Sequence, residues 1–207
     1  MKVLLLNCSP HISGCTATAL EEMIAVFERE GVETELIQVG IKDIRGCVAC
    51  GTCSLKGKCV FDDLVNEVAP KFEQADGLVV GSPVYYGSPN GTILSFMDRL
   101  FYSTEFSKQM KVGAAVVSCR RGGNTASFDV LNKYFTINEM PVVSSRYWNM
   151  VHGYTPDDVR QDEEGLLIMR VLADNMAWLL KCIEAGRAAG IDVPAQRERV
   201  VTNFIKR

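Results

Sequence analysis

Four cysteines lie within one short segment of the chain and could bind a metal centre. Cys47, Cys50, Cys53 and Cys59 have the spacing CxxCxxCx5C, which brings several thiolates within reach of one centre. Thiolate sulfur is a soft ligand that selects iron–sulfur clusters, zinc or copper(I). Zinc sites usually separate their ligand pairs by longer arms. The segment therefore predicts a metal centre, for which an iron–sulfur cluster, zinc and copper(I) are open, and free, redox-active thiols are the alternative.

A polar loop after the first apolar run, SPHISGCT, could bind a phosphate. It combines hydroxyls with a glycine and has no lysine. The dinucleotide pattern GxGxxG and the triphosphatase pattern GxxxxGK[ST] are both absent, which favours a monophosphate. Backbone N–H groups at the start of the following helix would hold the anion, and Ser9, Ser13 and Thr16 could add hydrogen bonds. The alternative is a turn whose hydroxyls only cap that helix.

A second loop is stiff and aromatic. It contains Pro83, Val84, Tyr85, Tyr86 and Gly87 directly after a buried apolar run. A planar heteroaromatic ligand gains from aromatic contact on its face, while backbone groups can bind its polar edge. The loop therefore predicts one wall of a ligand site, although the two tyrosines could instead pack against the neighbouring helix.

A third loop places two cations beside two glycines. Arg120, Arg121, Gly122 and Gly123 follow the apolar run KVGAAVVS. The glycines permit close approach of the backbone to a ligand, and an arginine could stabilise negative charge on a reduced ring. An exposed basic turn is the alternative interpretation.

The elements that must position these loops alternate between short apolar runs and amphipathic helices. This order is typical of a parallel sheet covered on both faces. Ligands bind such sheets beyond the carboxyl ends of the strands, so the three loops should meet at one crevice. The predicted strands are 2–7, 33–39, 77–81, 111–118 and 141–147, and the predicted helices are 16–30, 62–75, 88–102, 124–138 and 162–186.

The composition narrows the possible partners. The formal net charge is −3 and there is no basic block, which argues against nucleic acid or an anionic membrane as a partner. The apolar run at the N-terminus is short and breaks at Asn7, and no later run approaches the roughly 20 residues that span a bilayer. We therefore expect a cytoplasmic protein that acts on a small molecule.

Several motifs in the same order resemble one family. The loop SPHISGCT, the cysteine segment, GSPVYYGSPNG, FMDR, the RRGG turn and YWNMVHG together cover most of the chain. They are similar to the NADPH-dependent FMN reductases of the flavodoxin-like superfamily, and within them to the iron-sulfur flavoproteins. The family pattern often has arginine at the position of His11 and asparagine at that of Cys15.

The resemblance implies an α/β fold, a flavodoxin-like three-layer sandwich with a five-stranded parallel sheet in the order 2-1-3-4-5. A single domain would span 1–207, with a cysteine-rich insertion at about 46–60. The FMN phosphate would lie in the first loop, the isoalloxazine ring beside the second and its polar edge near the third. The implied cofactor-binding residues are Ser9, His11, Ser13, Gly14, Cys15, Thr16, Pro83, Val84, Tyr85, Tyr86, Gly87, Arg120, Arg121, Gly122 and Gly123.

The resemblance also implies an activity. Electrons would pass from NAD(P)H through FMN to a small-molecule or protein acceptor. A 4Fe-4S cluster would be bound by Cys47, Cys50, Cys53 and Cys59. A homodimer or homotetramer is expected, with the long last helix and the tail 194–207 as candidate interface elements. The alternatives are a non-enzymatic electron carrier that binds FMN, and a thiol or metal sensor that only inherits the fold.

Overall fold

A computed structural model describes residues 1–198, 200–202 and 204, so residues 199, 203 and 205–207 of the predicted interface tail lie outside the described part. Strands and helices alternate along most of the chain. The elements in order are β1 (Lys2–Asn7), α1 (Cys15–Arg29), β2 (Glu33–Gln38), α2 (Cys53–Lys56), α3 (Leu64–Gln74), β3 (Gly77–Tyr85), β4 (Ser88–Pro89), α4 (Gly91–Ser103), β5 (Val112–Cys119), α5 (Asn124–Thr136), β6 (Met150–His152), α6 (Pro156–Gln161) and α7 (Glu163–Ala188).

The sheet has the predicted strand order. Its main path runs β2-β1-β3-β5-β6 with parallel neighbours, and the short β4 pairs antiparallel with β3. When the two-residue β4 is left out, this is the expected order 2-1-3-4-5. The predicted strand order is therefore confirmed, whereas the small additional strand β4 was not predicted.

Two cores cover the two faces of the sheet. Val3 and Leu5 of β1 pack with α1 and α7, whereas Leu4 and Leu6 pack with α3, α4 and α5. Successive side chains of a strand point to opposite faces, so a strand covered on both sides is apolar at every position. This explains why the run LLL in β1 is fully buried.

The third strand was predicted to end at residue 81, before the turn at Ser82 and Pro83, and this prediction is wrong. β3 continues to Tyr85, and Pro83 pairs with Ser118 of β5. On the other side, β1 ends at Asn7 opposite Gly81, so β3 has no partner there when it reaches Pro83. Because no strand pairs with Pro83 on that side, the N–H that proline lacks is not needed there for a ladder hydrogen bond.

The predicted fifth strand at 141–147 is also wrong. Within that segment a single bridge joins Val142 to Gly113, and the ladder with β5 resumes only at Met150. Between them the Ser145 hydroxyl donates to the Tyr147 carbonyl at 2.7 Å. Local bonds of this kind compete with strand pairing, which accounts for the shift of the strand to β6.

The described part of the chain has no helix that is both long and apolar enough to cross a membrane. The longest helix among the described residues is α7, and its exposed face carries charged side chains that form ion pairs with α1 and with its C-cap residue Glu30.

Candidate functional site

The three predicted loops meet at one cleft beyond the carboxyl ends of β1, β3 and β5. The cleft has a volume of about 300 Å³, which is within the range of small-molecule sites. It is lined by Ser9, His11, Cys15, Thr16, Pro83, Val84, Tyr85, Ser118, Cys119, Arg120, Gly153 and Tyr154.

Three hydrogen bonds at Ser9 hold the first loop in place. The Ser9 hydroxyl accepts from the His11 N–H at 3.1 Å, and the Ser9 N–H donates to the side chain of Asn7 at 3.1 Å. Gln38 of β2 donates to the Ser9 carbonyl at 2.6 Å. In these contacts the Ser9 hydroxyl only accepts, so its proton remains available to a ligand in the cleft.

Helix α1 begins at this loop without a side-chain cap. Its N-cap residue is Gly14, and the first turn contains no acidic residue. The first N–H groups of a helix have no acceptor inside the helix, and the helix dipole favours an anion there. Gly14 itself is buried, and a side chain at this position would collide with the β-carbon of His11 at 2.8 Å. Ser13 is exposed and does not line the cleft.

The floor of the cleft joins two loops through a pair of hydroxyls. Thr16 Oγ1 and Ser118 Oγ lie 2.8 Å apart, and both residues are buried. Cys15 makes a second link, since its thiol donates to the Gly153 carbonyl at 3.6 Å. Burial raises the pKa of the Cys15 thiol, which keeps this group neutral near pH 7.

The second loop forms a tight hairpin between β3 and β4. Tyr86 and Gly87 are its two central residues and have positive φ values of 50° and 75°. Two central residues with positive φ are typical of a type I′ turn, which costs little for glycine and strains tyrosine. Tyr85 lines the cleft, whereas Tyr86 is fully exposed at the tip. The structure thus brings one of the two tyrosines to the cleft.

The third loop contributes one arginine to the cleft. Arg120 lines it, whereas Arg121, Gly122 and Gly123 do not. Gly123 instead contacts the second loop: a β-carbon at this position would lie 2.6 Å from the Gly87 α-carbon. The glycine therefore sets the distance between the second and third loops.

Four residues of the cleft were not among the predicted site residues: Ser118, Cys119, Gly153 and Tyr154. Ser118 and Cys119 directly precede the predicted arginines, so their position at the end of β5 could have identified them. Gly153 belongs to the motif YWNMVHG. Tyr154 gave no signal in the sequence, because its place depends on helix α6.

The N-terminus of α6 fixes Tyr154. The Thr155 N–H donates to the Asp158 carboxylate at 2.9 Å and the Tyr154 N–H donates to it at 3.0 Å, while the Thr155 hydroxyl accepts from the Asp158 N–H. Hydrogen bonds from Thr155 and Tyr154 lower the pKa of Asp158. The carboxylate therefore stays ionised and holds this side of the cleft in place.

The four cysteines of the 46–60 segment lie together at a separate place. Cys47, Cys50, Cys53 and Cys59 all line one pocket, in which Arg99 and Ser103 of α4 also take part. Cys47 and Cys50 are exposed, and Cys53 and Cys59 are half-buried. Within this segment, residues 53–56 form one helical turn, α2, which ends at Gly57 with a φ of 66°.

Local contacts shape the sulfur positions. The Ala49 N–H donates to the Cys47 sulfur at 3.4 Å, and Ala49 holds a positive φ of 52°, which is strained for alanine. Hydrogen bonds from Thr52 lower the pKa of Cys50. The Ser103 hydroxyl is buried beside the pocket and makes no hydrogen bond to the described residues.

The thiols do not converge as the ligands of one ion do. Among residues 1–198, 200–202 and 204, no three His, Cys, Asp or Glu side chains lie close enough to hold a single metal ion. A tetrahedral zinc site requires sulfur atoms only about 3.8 Å apart, from a Zn–S bond of about 2.3 Å. In a four-iron cluster each thiolate ligates a different iron, so the ligand sulfurs lie farther apart than around one ion.

Comparison with known proteins places these features in a family. The family model for NADPH-dependent FMN reductase matches residues 1–155. An iron-sulfur flavoprotein of Methanocaldococcus jannaschii is 33% identical over 192 residues, covering 89% of this chain and 100% of that protein. An iron-sulfur flavoprotein of Methanosarcina thermophila is 27% identical and covers 90% of this chain and 99% of its own length.

Solved structures support the fold. RosB with a bound 8-demethyl-8-formylriboflavin-5'-phosphate intermediate has a TM-score of 0.70 at 18% identity, with 100% of this chain and 94% of that chain covered. A flavodoxin from the domain Archaea has a TM-score of 0.58 at 18% identity, with 87% and 99% covered. The predicted flavodoxin-like α/β fold is confirmed.

Proposed function

The chain belongs to the NADPH-dependent FMN reductase family, and from this premise we propose that it transfers electrons from NAD(P)H through FMN to a further acceptor. The single observation that carries the proposal is the cleft, where an uncapped helix N-terminus, two buried hydroxyls, a tyrosine and an arginine meet at the end of the sheet. Membership of the family supports FMN-dependent redox chemistry. NAD(P)H as the electron donor, and a further molecule as the acceptor, are what we propose in addition.

The residues of the cleft fit FMN by their chemistry. The start of α1, with the hydroxyls of Ser9 and Thr16, would bind the phosphate. Tyr85, Pro83 and Val84 would lie against the isoalloxazine ring, and Arg120 would approach its polar edge. When bound, FMN supplies the electron-accepting ring, while the protein orients it and controls the charge around it.

His11, Gly14 and Cys15 belong to the phosphate end of this proposed site. His11 lines the cleft from the exposed side of the loop, where the family pattern often has arginine. It can donate one hydrogen bond to a phosphate oxygen in place of the arginine fork. Gly14 permits the close turn of the loop, and the neutral Cys15 thiol adds no repulsion toward the anion.

The residues of the cysteine pocket fit a four-iron, four-sulfur cluster better than a single ion. All four thiols line it, and the buried Ser103 hydroxyl has no acceptor among the described residues. The enclosed volume is about 20 Å³, little more than one water requires, so cluster binding requires the exposed segment with Cys47 and Cys50 to open. When bound, the cluster supplies a one-electron site. We propose Cys47, Cys50, Cys53 and Cys59 as its ligands.

In the first experiment, FMN is titrated into the colourless apoprotein, and binding is measured by the quenching of flavin fluorescence. Riboflavin, which lacks the phosphate, is the matched ligand. Charge-assisted hydrogen bonds contribute about 1.5–3 kcal/mol each, so riboflavin should bind at least about tenfold more weakly. Equal affinity for the two ligands would remove the first loop from the phosphate site, and an apoprotein that takes up neither ligand would overturn the proposal.

A second measurement separates a reductase from an electron carrier. The FMN-loaded protein is mixed with NADH or NADPH without oxygen, and bleaching of the flavin band is recorded. Rapid bleaching by either nucleotide supports the reductase. Bound flavin that dithionite reduces, but neither nucleotide does, would favour the carrier. Iron and acid-labile sulfide assays of the anaerobically purified protein test the cluster, and light scattering of the same sample tests the proposed homodimer or homotetramer.

A further inference from the structure

A fully buried arginine lies directly beneath the cysteine pocket. Arg99 of α4 is 1% exposed and is the largest of the fully buried side chains. Burying a cation costs several kcal/mol unless charged and polar partners replace its water. Arg99 must therefore have partners strong enough to hold it inside the protein.

All five N–H groups of the Arg99 guanidinium have an acceptor. Two are donated to the Cys59 sulfur, from Nε and Nη2, each at 3.2 Å. Two form a fork with the Asp63 carboxylate, at 2.7 and 2.9 Å. The fifth is donated by Nη1 to the Arg45 carbonyl at 3.2 Å. Because a guanidinium has five donors in a fixed plane, these bonds leave it no freedom to turn away from the sulfur.

Asp63 is itself held in place. Its carboxylate accepts the Val65 N–H at 3.1 Å as the N-cap of α3, in addition to the fork from Arg99. The ring of Phe61 lies below the guanidinium, with 5.0 Å between the Arg99 Cζ and the ring centroid. Arg99 is therefore fixed between α3 and α4, and it presents two N–H groups to one sulfur.

Cys59 differs in this respect from the other cysteines of the pocket. The Cys47 sulfur receives only one backbone N–H, at 3.4 Å, while Cys59 receives two N–H groups from a cation. The Cys59 sulfur thus acts as a hydrogen-bond acceptor, which is also the role that a cluster-ligating sulfur would have. Hydrogen bonds to cluster-ligating sulfur stabilise the more negative, reduced state and so raise the reduction potential.

We infer that Arg99 is a positioning residue that fixes the sulfur of Cys59 as the fourth cluster ligand and raises the reduction potential of the cluster. The inference rests on the proposed function, since it requires the cluster. Asp63 neutralises the buried cation, so that the pair adds directed N–H groups at the sulfur without adding a net charge. The arrangement spans 40 residues of sequence and joins the cysteine segment to the helix that follows the second loop.

The test compares two substitutions of the same kind. Arg99→Lys keeps the positive charge but removes the planar fork. Arg45→Lys is the matched control, because the Arg45 guanidinium also lies over Phe61, at 4.8 Å, yet makes no bond to a cysteine. A second variant, Arg99→Met with Asp63→Asn, removes both charges and keeps a residue that can cap α3. It provides the same comparison if Arg99→Lys does not fold.

Each protein is reconstituted with iron and sulfide without oxygen. Bound iron per chain, iron retained against a chelator, the midpoint potential and FMN content are measured. Both Arg99 variants should have a lower potential and lose iron to the chelator about tenfold more readily. Their FMN content should match that of the wild type, and Arg45→Lys should change none of these quantities.

The outcomes separate this inference from the proposal on which it rests. A wild-type chain that binds no iron and sulfide overturns the cluster itself, and this inference with it. A wild-type chain that holds a cluster, together with Arg99 variants of unchanged potential and iron retention, overturns the role of Arg99 alone. A fall in FMN content equal to the fall in iron would show a general loss of structure and would also overturn the specific role.

Discussion

The hydroxyls of Thr16 and Ser118 lie 2.8 Å apart on the floor of the cleft, although 102 positions separate the two residues in the chain. This contact joins the start of α1 to the end of β5. It orients both hydroxyls beneath the place where a ligand would enter. The pair therefore connects the stability of the sheet edge to the shape of the proposed FMN site.

Thr16→Val should lower the stability of the protein and weaken FMN binding. Valine has nearly the shape of threonine, so the substitution removes the hydroxyl and leaves that of Ser118 buried without its partner, at a cost of about 1–3 kcal/mol. Urea unfolding should show this loss, and titration should show weaker FMN binding. Thr34→Val on the edge strand β2, where the hydroxyl makes no side-chain bond among the described residues, should change neither. Wild-type stability in Thr16→Val would contradict the argument.

Gly123→Ala should separate the second and third loops. The added β-carbon would lie 2.6 Å from the Gly87 α-carbon, and the backbone φ of 85° disfavours alanine in any case. Gly122→Ala is the control, since its added β-carbon meets nothing within 4 Å. The expected result is loss of most bound flavin from purified Gly123→Ala, with a lower melting temperature, and near wild-type behaviour of Gly122→Ala. Full flavin content in both proteins would show that the loop contact does not shape the site.

The sequence predicted well which strands and loops form this site, because these elements depend on local patterns. The run LLL in β1 and the valines of β5 are buried on both faces, and continuous apolar runs show that directly. The carboxyl ends of the strands then determine which loops meet. Ser9, Thr16 and Arg120 could therefore be assigned to one crevice from the sequence alone.

Features that depend on distant contacts could not be predicted. Nothing in the sequence shows that Tyr86 adopts a positive φ and projects from the hairpin, because glycine and asparagine are the residues expected there. The five N–H bonds of Arg99 are equally hidden, since a buried arginine and an exposed one look alike on an amphipathic helix. The shift of the last strand to β6 depends on side-chain bonds around Ser145.

Arg120→Ala should weaken FMN binding, whereas Arg121→Ala should not. The two arginines are adjacent and exposed, but only Arg120 lines the cleft. Loss of one charge-assisted hydrogen bond at a solvent-exposed position corresponds to about a tenfold weaker complex. The midpoint potential of the bound flavin should also fall, because a cation near the ring favours the reduced anion. Fluorescence titration and spectroelectrochemistry measure the two quantities, and equal effects of both substitutions would assign them to net charge instead.

Modification of Cys15 should depend on pH and on FMN. Burial raises the pKa of this thiol, so the reactive thiolate forms only at a pH above the ordinary range of cysteine. The rate of alkylation by iodoacetamide should accordingly be slow at pH 7 and should rise at a higher pH than for a free cysteine.

Bound FMN should slow the alkylation of Cys15 further, because Cys15 lines the cleft. Cys182 of α7 is exposed outside the cleft and serves as the internal control. Mass spectrometry of the two peptides gives both rates from one sample. If FMN protects Cys15 and leaves Cys182 unchanged, the ligand occupies this cleft; equal rates with and without FMN would place it elsewhere.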